Sequence, residues 1–268
     1  MRVRLAELAP VPGDLPRNLE RLAEVVRGSS ADLVVFPELY LSGYRIGDRF
    51  HTLALREGDP SAERLRALAQ ETGRALALGV PRASPLRRGE VENAVLVATP
   101  DGRLAHQVKR YLPTFGPFEE GIVFTPSDAS APIPVGGHPV GFEICYDTFF
   151  PEVTRQLALG GAELAVVLSA SPTTSRRLFE RLLPARAIEN GLPVLFVNRV
   201  GVEDGIVFGG ESGAWDARGE PIPLERSRPA GLGPDEAVLD LEVDPTESGR
   251  WRPFRPVLRD VASRPGNP

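Results

Sequence analysis

One amine, one thiol and one carboxylate are the groups of this sequence best suited to nucleophilic chemistry. Lys109 is the only lysine among 31 basic residues, and Cys145 is the only cysteine. An ammonium is compact and exchanges protons, whereas a guanidinium stays charged and forked. A lone cysteine forms no internal disulfide, so it serves either in packing or as a thiolate nucleophile. With Glu38 as a base and Lys109 beside a developing negative oxygen, such a set could carry out acyl transfer.

The three residues share a placement in the sequence. Glu38 follows the apolar segment DLVVFP, Lys109 follows RLAHQV, and Cys145 follows PVGFEI. Strand ends that open into loops are where a rigid sheet holds catalytic groups. Taken singly, a turn glutamate, a surface lysine and an inert core thiol are ordinary, but their common placement favours a catalytic set.

Helical and strand-like segments alternate along the chain. We predict helices over 14–26, 61–72, 150–159 and 176–190, strands over 32–36, 75–80, 139–145, 164–168, 193–198 and 237–243, a hairpin of 91–98 with 103–108 around the turn TPDG, and short strands around the turn DARG within 213–222. This alternation indicates layered α/β packing with a mixed sheet.

Composition narrows the class of protein. The 268 residues are 42% hydrophobic and 25% charged, which is typical of a globular protein with a substantial core. A net charge of −5 argues against a nucleic-acid binder. No stretch reaches the length of a membrane span and the start has no apolar signal core, so we expect a cytoplasmic protein without a membrane partner.

Metal and cofactor sites are not expected. The histidines His51, His106 and His138 have no HxH or HExxH spacing, which argues against a catalytic metal. None of them shares a strong local motif with Cys145, so a papain-like Cys-His hydrolase is disfavoured. The glycines form no phosphate-binding loop, and no nucleotide or other cofactor is predicted.

Three segments together resemble a known family. FPELYLSGY, KRYLPTFGPFEE and GFEICYDTFFPE occur in the order found in the nitrilase, or carbon–nitrogen hydrolase, superfamily. The resemblance continues through LPARAIENGLPVLFVNRVG and FGGESGAWDARGEPI, so it covers nearly the whole chain. It implies a Glu-Lys-Cys triad of Glu38, Lys109 and Cys145 that hydrolyses a non-peptide C–N bond of a small carboxamide through a thioester acyl-enzyme, releasing ammonia or an amine.

The resemblance also implies roles for neighbouring residues. Glu120 matches a second glutamate that orients the lysine and the substrate amine, with Glu119 as the adjacent alternative. The oxyanion would be held by the Lys109 ammonium and by the backbone N–H of Tyr146. Asp147 resembles a structural acid that holds the loop of the nucleophile.

Substrate choice stays open at this point. GYRIGDRF, KRYLPTFGPFEE and VLSASP resemble the glutaminase domain of glutamine-dependent NAD synthetases, and Ser171 matches a substrate contact there. Phe115 replaces a glutamine-contacting tyrosine and Arg177 falls near a substrate-contacting lysine, which counts against glutamine. CYDTFFPE is closer to aliphatic amidases and N-carbamoyl amidohydrolases, and the same triad serves nitrilases. A protein of another class, with Cys145 as a redox sensor and no catalysis, is the remaining alternative.

The family fold sets the expectation for architecture. The resemblance implies a four-layer αββα sandwich in a single domain, which pairs through helical faces into a homodimer or a larger homo-oligomer. We predict a hydrolase domain over 1–250. The Pro- and Arg-rich segment 251–268 is predicted to be a solvated tail or an arm on a partner subunit.

Overall fold

Two mixed β-sheets lie at the centre of the computed structural model, which describes residues 1–128 and 130–263. The strands of the first sheet are β1 (Arg2–Glu7), β2 (Leu33–Val35), β3 (Ala75–Ala83), β4 (Val91–Ala98), β5 (Leu104–Val108), β13 (Glu225–Ser227) and β14 (Ala237–Glu242). Those of the second are β6 (Ile133–Val135), β7 (His138–Ile144), β8 (Leu164–Ser169), β9 (Val194–Asn198) and β12 (Gly213–Trp215). A separate hairpin joins β10 (Val200–Glu203) to β11 (Ile206–Gly209).

Each sheet has a parallel centre and antiparallel edges. The first has the order β13-β14-β1-β2-β3-β4-β5, in which β1, β2 and β3 are parallel. The second has the order β12-β9-β8-β7-β6, in which β7, β8 and β9 are parallel. The carboxyl ends of parallel strands meet at one edge of a sheet, which is where the loops carrying reactive groups are expected.

Helices cover the outer face of each sheet. The described helices are α1 (Leu15–Arg27), α2 (Phe50–Leu53), α3 (Pro60–Thr72), α4 (Glu120–Val123), α5 (Pro151–Leu159), α6 (Arg176–Asn190), α7 (Glu247–Trp251) and α8 (Val257–Ala262). Short 3₁₀ turns cover Gly47–Arg49, Cys145–Phe149 and Thr173–Ser175.

Successive residues of each strand in the first sheet point alternately into two apolar cores, one between the two sheets and one under the helices. In the first sheet Val3 and Val35 face the second sheet, whereas Val34 and Leu76 face α1 and α3. Because α5 and α6 pack on the far side of the second sheet, the order of layers is α, β, β, α. The predicted four-layer sandwich is confirmed.

Element ends agree with the sequence expectation to within a few residues, and α6 covers the predicted 176–190. The sequence did not predict the short strands β6, β10, β11 and β13, nor the longer strand β1, which lies in the middle of the first sheet between β14 and β2. Its charged residue Arg4 is buried and is neutralised by Asp240 of β14, at 2.7 Å.

The C-terminal segment contacts the rest of the protein. The helix α8 packs on α5 and α6, and the Arg252 guanidinium donates a 2.6 Å hydrogen bond to the Ala162 carbonyl. The boundary at residue 250 stays a prediction, and the predicted tail beyond 263 lies outside the described residues. Within the described residues, no helix combines the length and the apolar character needed to cross a membrane.

Candidate active site

Lys109 lies between two glutamates in the interior of the protein. Its ammonium, 0% exposed, donates hydrogen bonds of 2.6 Å to Glu38 Oε1 and 2.7 Å to Glu120 Oε1. Burial lowers the pKa of Lys109, but Glu120 and Glu38 more than offset it, and the net pKa lies above its ordinary value. The lysine is therefore a fixed positive charge.

Glu38 is held at the junction of the two sheets. It follows β2 in the first sheet, and its Oε2 accepts a 2.8 Å hydrogen bond from the N–H of Ala170, just after β8 of the second. The loop carrying it passes directly over Gly79 of β3, where an added Cβ would lie 2.1 Å from Leu39 N and 2.5 Å from Glu38 Cα. Leu39 has a positive φ of 49°, so this turn is tightly constrained.

Cys145 lies at the end of β7 and begins the 3₁₀ turn that leads into α5. Its φ of 47° is in the left-handed region that residues other than glycine rarely adopt, and such backbone strain is concentrated at functional sites. The residue is 9% exposed. Burial raises the pKa of the thiol, the charge of Glu38 raises it further, and Lys109 and the Ser169 hydroxyl lower it. The balance keeps the resting sulfur protonated.

Asp147 holds the loop of the nucleophile, as the resemblance implies. Its carboxylate accepts hydrogen bonds from the backbone N–H groups of Tyr111 at 2.9 Å, Arg110 at 3.1 Å and Ile144 at 3.3 Å. Burial raises the pKa of Asp147 to about 7, against the opposing effect of Lys109. These contacts join the segment after Lys109 to the segment before Cys145.

Two residues at the centre of the site were not predicted from the sequence. The Asn93 amide, in the middle of β4, donates hydrogen bonds to Glu38 Oε1 at 2.8 Å and Glu120 Oε2 at 3.3 Å. The Tyr44 hydroxyl donates to Glu120 Oε1. The detectable signal for Asn93 is a polar residue inside the apolar strand VENAVLVA, and Tyr44 ends the quoted motif FPELYLSGY.

A buried ion pair supports the loop that carries Tyr44. Arg199 and Glu203 pair with each other, and the guanidinium lies 4.3 Å from the centre of the Phe208 ring. Glu203 Oε1 also accepts from the backbone N–H of Tyr44 at 3.0 Å and of Arg45 at 2.6 Å. The pair thus fixes the backbone next to the Tyr44 side chain, which contacts Glu120.

The two adjacent glutamates in FEEG have different surroundings. Glu120, at the start of α4, is buried and contacts Lys109. Glu119 is exposed, and its carboxylate lies 3.5 Å from the Arg45 guanidinium. Geometry therefore places Glu120, and not Glu119, at the lysine.

The remaining candidate residues have different surroundings. The Tyr146 ring contacts the exposed Phe115 ring at 5.3 Å between centroids. Ser171 is buried, and its backbone exchanges hydrogen bonds of 2.8 and 2.9 Å with the Asn198 side chain. Arg177 lies on the first turn of α6 and is exposed.

The cluster has the parts needed for acyl transfer. A protonated thiol on a strained backbone lies among two carboxylates and one fixed ammonium, and a proton acceptor is present within the same group. The ammonium and the backbone N–H at the start of a 3₁₀ turn are suitable donors to a negative oxygen.

Comparisons with known proteins agree with this chemistry. A family model described as carbon-nitrogen hydrolase matches residues 2–253. A protein of Pseudomonas protegens described as a hydrolase in the pqqF 5′ region is 36% identical, covering 97% of this chain and 88% of its own length. An (R)-stereoselective amidase of Pseudomonas sp is 32% identical, covering 93% of this chain and 88% of its own length.

A solved structure shows a covalent adduct on a cysteine in this fold. It is a mutant of the amidase from Nesterenkonia sp. AN1, with the acetamide moiety of fluoroacetamide covalently added at the active-site cysteine. It is 28% identical to this chain, with a TM-score of 0.79, and the match covers 95% of this chain and 94% of the amidase.

Proposed function

The chain belongs to the carbon–nitrogen hydrolase family and is an enzyme of that class; from this premise we propose that it hydrolyses a small carboxamide through a thioester on Cys145. The observation that carries the proposal is the fully buried ammonium of Lys109, shared between Glu38 and Glu120 beside the only thiol.

The first step forms the carbon–sulfur bond. Because the thiol pKa is raised by burial and by Glu38, the sulfur loses its proton only as it attacks. Glu38 takes this proton while the sulfur bonds to the carbonyl carbon and the carbonyl π electrons move to oxygen. A stable free thiolate is not required.

The oxyanion is held by fixed donors. The Lys109 ammonium and the N–H of Tyr146 stabilise the negative oxygen, and Glu120 with Tyr44 keeps the ammonium oriented. When the C–N bond breaks, Glu38 returns its proton to the leaving nitrogen, so ammonia or an amine departs and a thioester remains. Glu38 then takes a proton from water, whose oxygen attacks the thioester carbonyl. When the C–S bond breaks, Glu38 returns this proton to the sulfur, so the acid departs and the Cys145 thiol is restored.

A carboxamide is the substrate class that the site supports best. The amidase relatives favour it, and the exposed Phe115 ring offers a substrate no hydrogen bond of the kind that a tyrosine gives glutamine. Glutamine, N-carbamoyl amino acids and nitriles are the other substrates that the same mechanism would accommodate.

A redox-sensor function is disfavoured on physical grounds. Oxidation follows thiolate character and exposure, and sensor cysteines have lowered pKa values. The pKa of Cys145 is raised by burial, and the side chain is nearly inaccessible.

Ammonia release from a panel of amides, glutamine, N-carbamoyl amino acids and nitriles tests the proposal. We expect turnover of amides and a mass increase on Cys145 that equals the acyl group in rapidly quenched samples. Glu120→Gln is expected to lower kcat by about 10²-fold because the ammonium loses a charged partner, whereas the matched variant Glu119→Gln leaves kcat unchanged. Turnover of nitriles alone, or equal effects of the two variants, would contradict the proposal.

A homodimer remains part of the proposal. The helical layer of α5, α6 and α8 exposes apolar residues that a partner chain would cover, including Leu178, Ile188 and Val257. Light scattering at micromolar concentration is expected to give the mass of two chains, and a monomer would refute this part.

A further inference from the structure

A wide cleft lies on the outer face of the first sheet, away from the candidate active site. It has a volume of about 930 Å³, and its walls come from β5, the first turns of α3, segment 51–58 and the loop between β3 and β4. Because β5 is the edge strand and α3 packs on β3 and β4, the outer face of the edge strand borders the cleft. We call this space the edge cleft.

The sheet separates the edge cleft from the candidate active site. Arg82 of β3 lines the cleft and pairs with Glu92 of β4 at 3.0 Å. Successive residues of a strand point to opposite faces, so the next residue, Asn93, points the other way. There its amide donates to Glu38 and Glu120. A molecule in the edge cleft would therefore lie on the opposite side of the sheet from the reacting groups.

Two guanidinium groups of the edge cleft have no acidic partner. In the part of the chain that the structure describes, neither Arg56 nor Arg88 forms an ion pair with a carboxylate. The Arg56 side chain donates only long hydrogen bonds, of 3.4 Å to the Ala54 carbonyl and 3.5 Å to the His51 carbonyl. The planar fork of a guanidinium matches the oxygens of a carboxylate or a phosphate, so both groups are suited to hold an oxyanion.

Most acids of the edge cleft already have a basic partner. Glu63 pairs with Arg66 at 3.2 Å on the same helix. Glu90 pairs with Arg87, which lies outside the cleft lining, at 3.5 Å. The remaining lining acid, Glu57, is exposed and is outnumbered by the two guanidinium groups without acidic partners. Positive charge is therefore in excess at the cleft, which favours a negatively charged ligand.

Two further polar groups of the edge cleft have no hydrogen-bond partner among residues 1–128 and 130–263. They are the partly buried imidazole of His106 on β5 and the buried Nε of Arg66. Burial and the charge of Arg82 lower the pKa of His106 to about 4, so the ring is neutral near pH 7 and keeps one N–H to donate. Buried polar groups of native proteins almost always have a partner, so these two donors favour a ligand that accepts hydrogen bonds.

The rest of the lining is apolar and includes Leu55, Val91 and Leu104. A cleft of this size and mixed character is suited to a small organic molecule. We propose that the edge cleft binds a small organic oxyanion, that is, a phosphate ester or a carboxylate attached to an apolar body. The arginines and the His106 N–H hold the oxyanion, and the apolar lining covers the body. This site is additional to the proposed function and does not depend on it.

Isothermal titration calorimetry at low ionic strength tests the inference with phenyl phosphate, benzoate, inorganic phosphate and phenol. We expect saturable binding of phenyl phosphate, benzoate or both, tighter than that of inorganic phosphate or phenol, because only the first two combine an oxyanion with an apolar body. The double variant Arg56→Gln/Arg88→Gln should weaken this binding by at least about tenfold, the usual effect of removing a hydrogen bond to a charged group. The matched variant Arg17→Gln/Arg64→Gln removes two exposed arginines outside the cleft and should leave the affinity unchanged.

The probe that binds identifies the oxyanion: phenyl phosphate alone indicates a phosphate ester, benzoate alone a carboxylate, and both together a site that accepts either. A second pair of variants leaves every arginine in place: His106→Leu should weaken binding, and His106→Gln, which keeps an N–H donor, should retain it. No saturable binding of either probe at millimolar concentration overturns the edge cleft as a site. Binding that Arg56→Gln/Arg88→Gln retains in full, or that both double variants weaken equally, lies elsewhere on the protein and overturns it as well. Amide hydrolysis by the wild-type protein is unaffected by either result.

Discussion

Replacing Gly79 by alanine should displace Glu38, the proposed base, by pressing on its backbone while leaving its side chain unchanged. The new Cβ would lie 2.1 Å from Leu39 N and 2.5 Å from Glu38 Cα, and both are backbone atoms that cannot rotate away. Restoring an ordinary contact of 3.4 Å requires a backbone shift of more than about 1 Å. The Glu38 carboxylate, held by donors at 2.6 to 2.8 Å, would then lose its alignment.

The expected cost follows from that displacement. A misplacement of about 1 Å lowers kcat by about 10²-fold, and overpacking of the strand lowers the free energy of unfolding by about 1–3 kcal/mol. Steady-state kinetics on the best amide and urea unfolding measure the two effects. Gly249→Ala is the matched control, because its Cβ would meet no atom within 4 Å. A Gly79→Ala protein with the kinetics and stability of this control would refute the packing argument.

Three further predictions concern buried polar groups. Lys109→Arg should lower kcat by about 10²- to 10³-fold in steady-state assays, because the forked guanidinium does not fit between Glu38 and Glu120; near-normal turnover would count against the ammonium as oxyanion donor. Asn93→Leu removes the amide donor to both carboxylates, so the acid limb of the pH profile of kcat/KM should move to higher pH, and a superimposable profile would show that the amide has no such role. Burial raises the pKa of Glu143 to about 7, so the folded state binds this proton more tightly, and the contribution of Glu143 to the free energy of unfolding falls as pH rises from 4.5 to about 7. In urea unfolding, the free energy of unfolding of Glu143→Gln should therefore rise by up to about 3 kcal/mol relative to wild type over that pH range. A difference between the two proteins that stays constant with pH would argue against the raised pKa.

The parallel strands other than β1, and the main helices, could be predicted because their own residues carry the signal. Uninterrupted apolar runs such as DLVVF form buried central strands, and the apolar spacing of 14–26 forms a helix with Asp14 as its N-cap. The strand β1 gave no such signal. Arg4 interrupts its apolar pattern, and what makes burial of this charge tolerable is Asp240, which is 236 residues away in sequence.

The candidate site likewise contains some residues that could be predicted from the sequence and others that could not. Glu38, Lys109 and Cys145 follow recognisable strands, so their meeting could be predicted from topology. The bridge made by Asn93 could not, because it depends on the distance between β4 and two loops that only the packed sheets determine. The choice between Glu119 and Glu120 was likewise decided by which side of a short helix faces the interior.

The burial of the single lysine leaves the folded surface with an unusual chemical property. The one lysine, Lys109, is fully buried, so no lysine amine of this sequence is exposed to solvent. An acylating dye or aldehyde fixative applied to the native protein therefore finds no lysine on the folded surface. Label on Lys109 would report that the interior has opened, so mass spectrometry after brief acylation counts unfolded molecules directly.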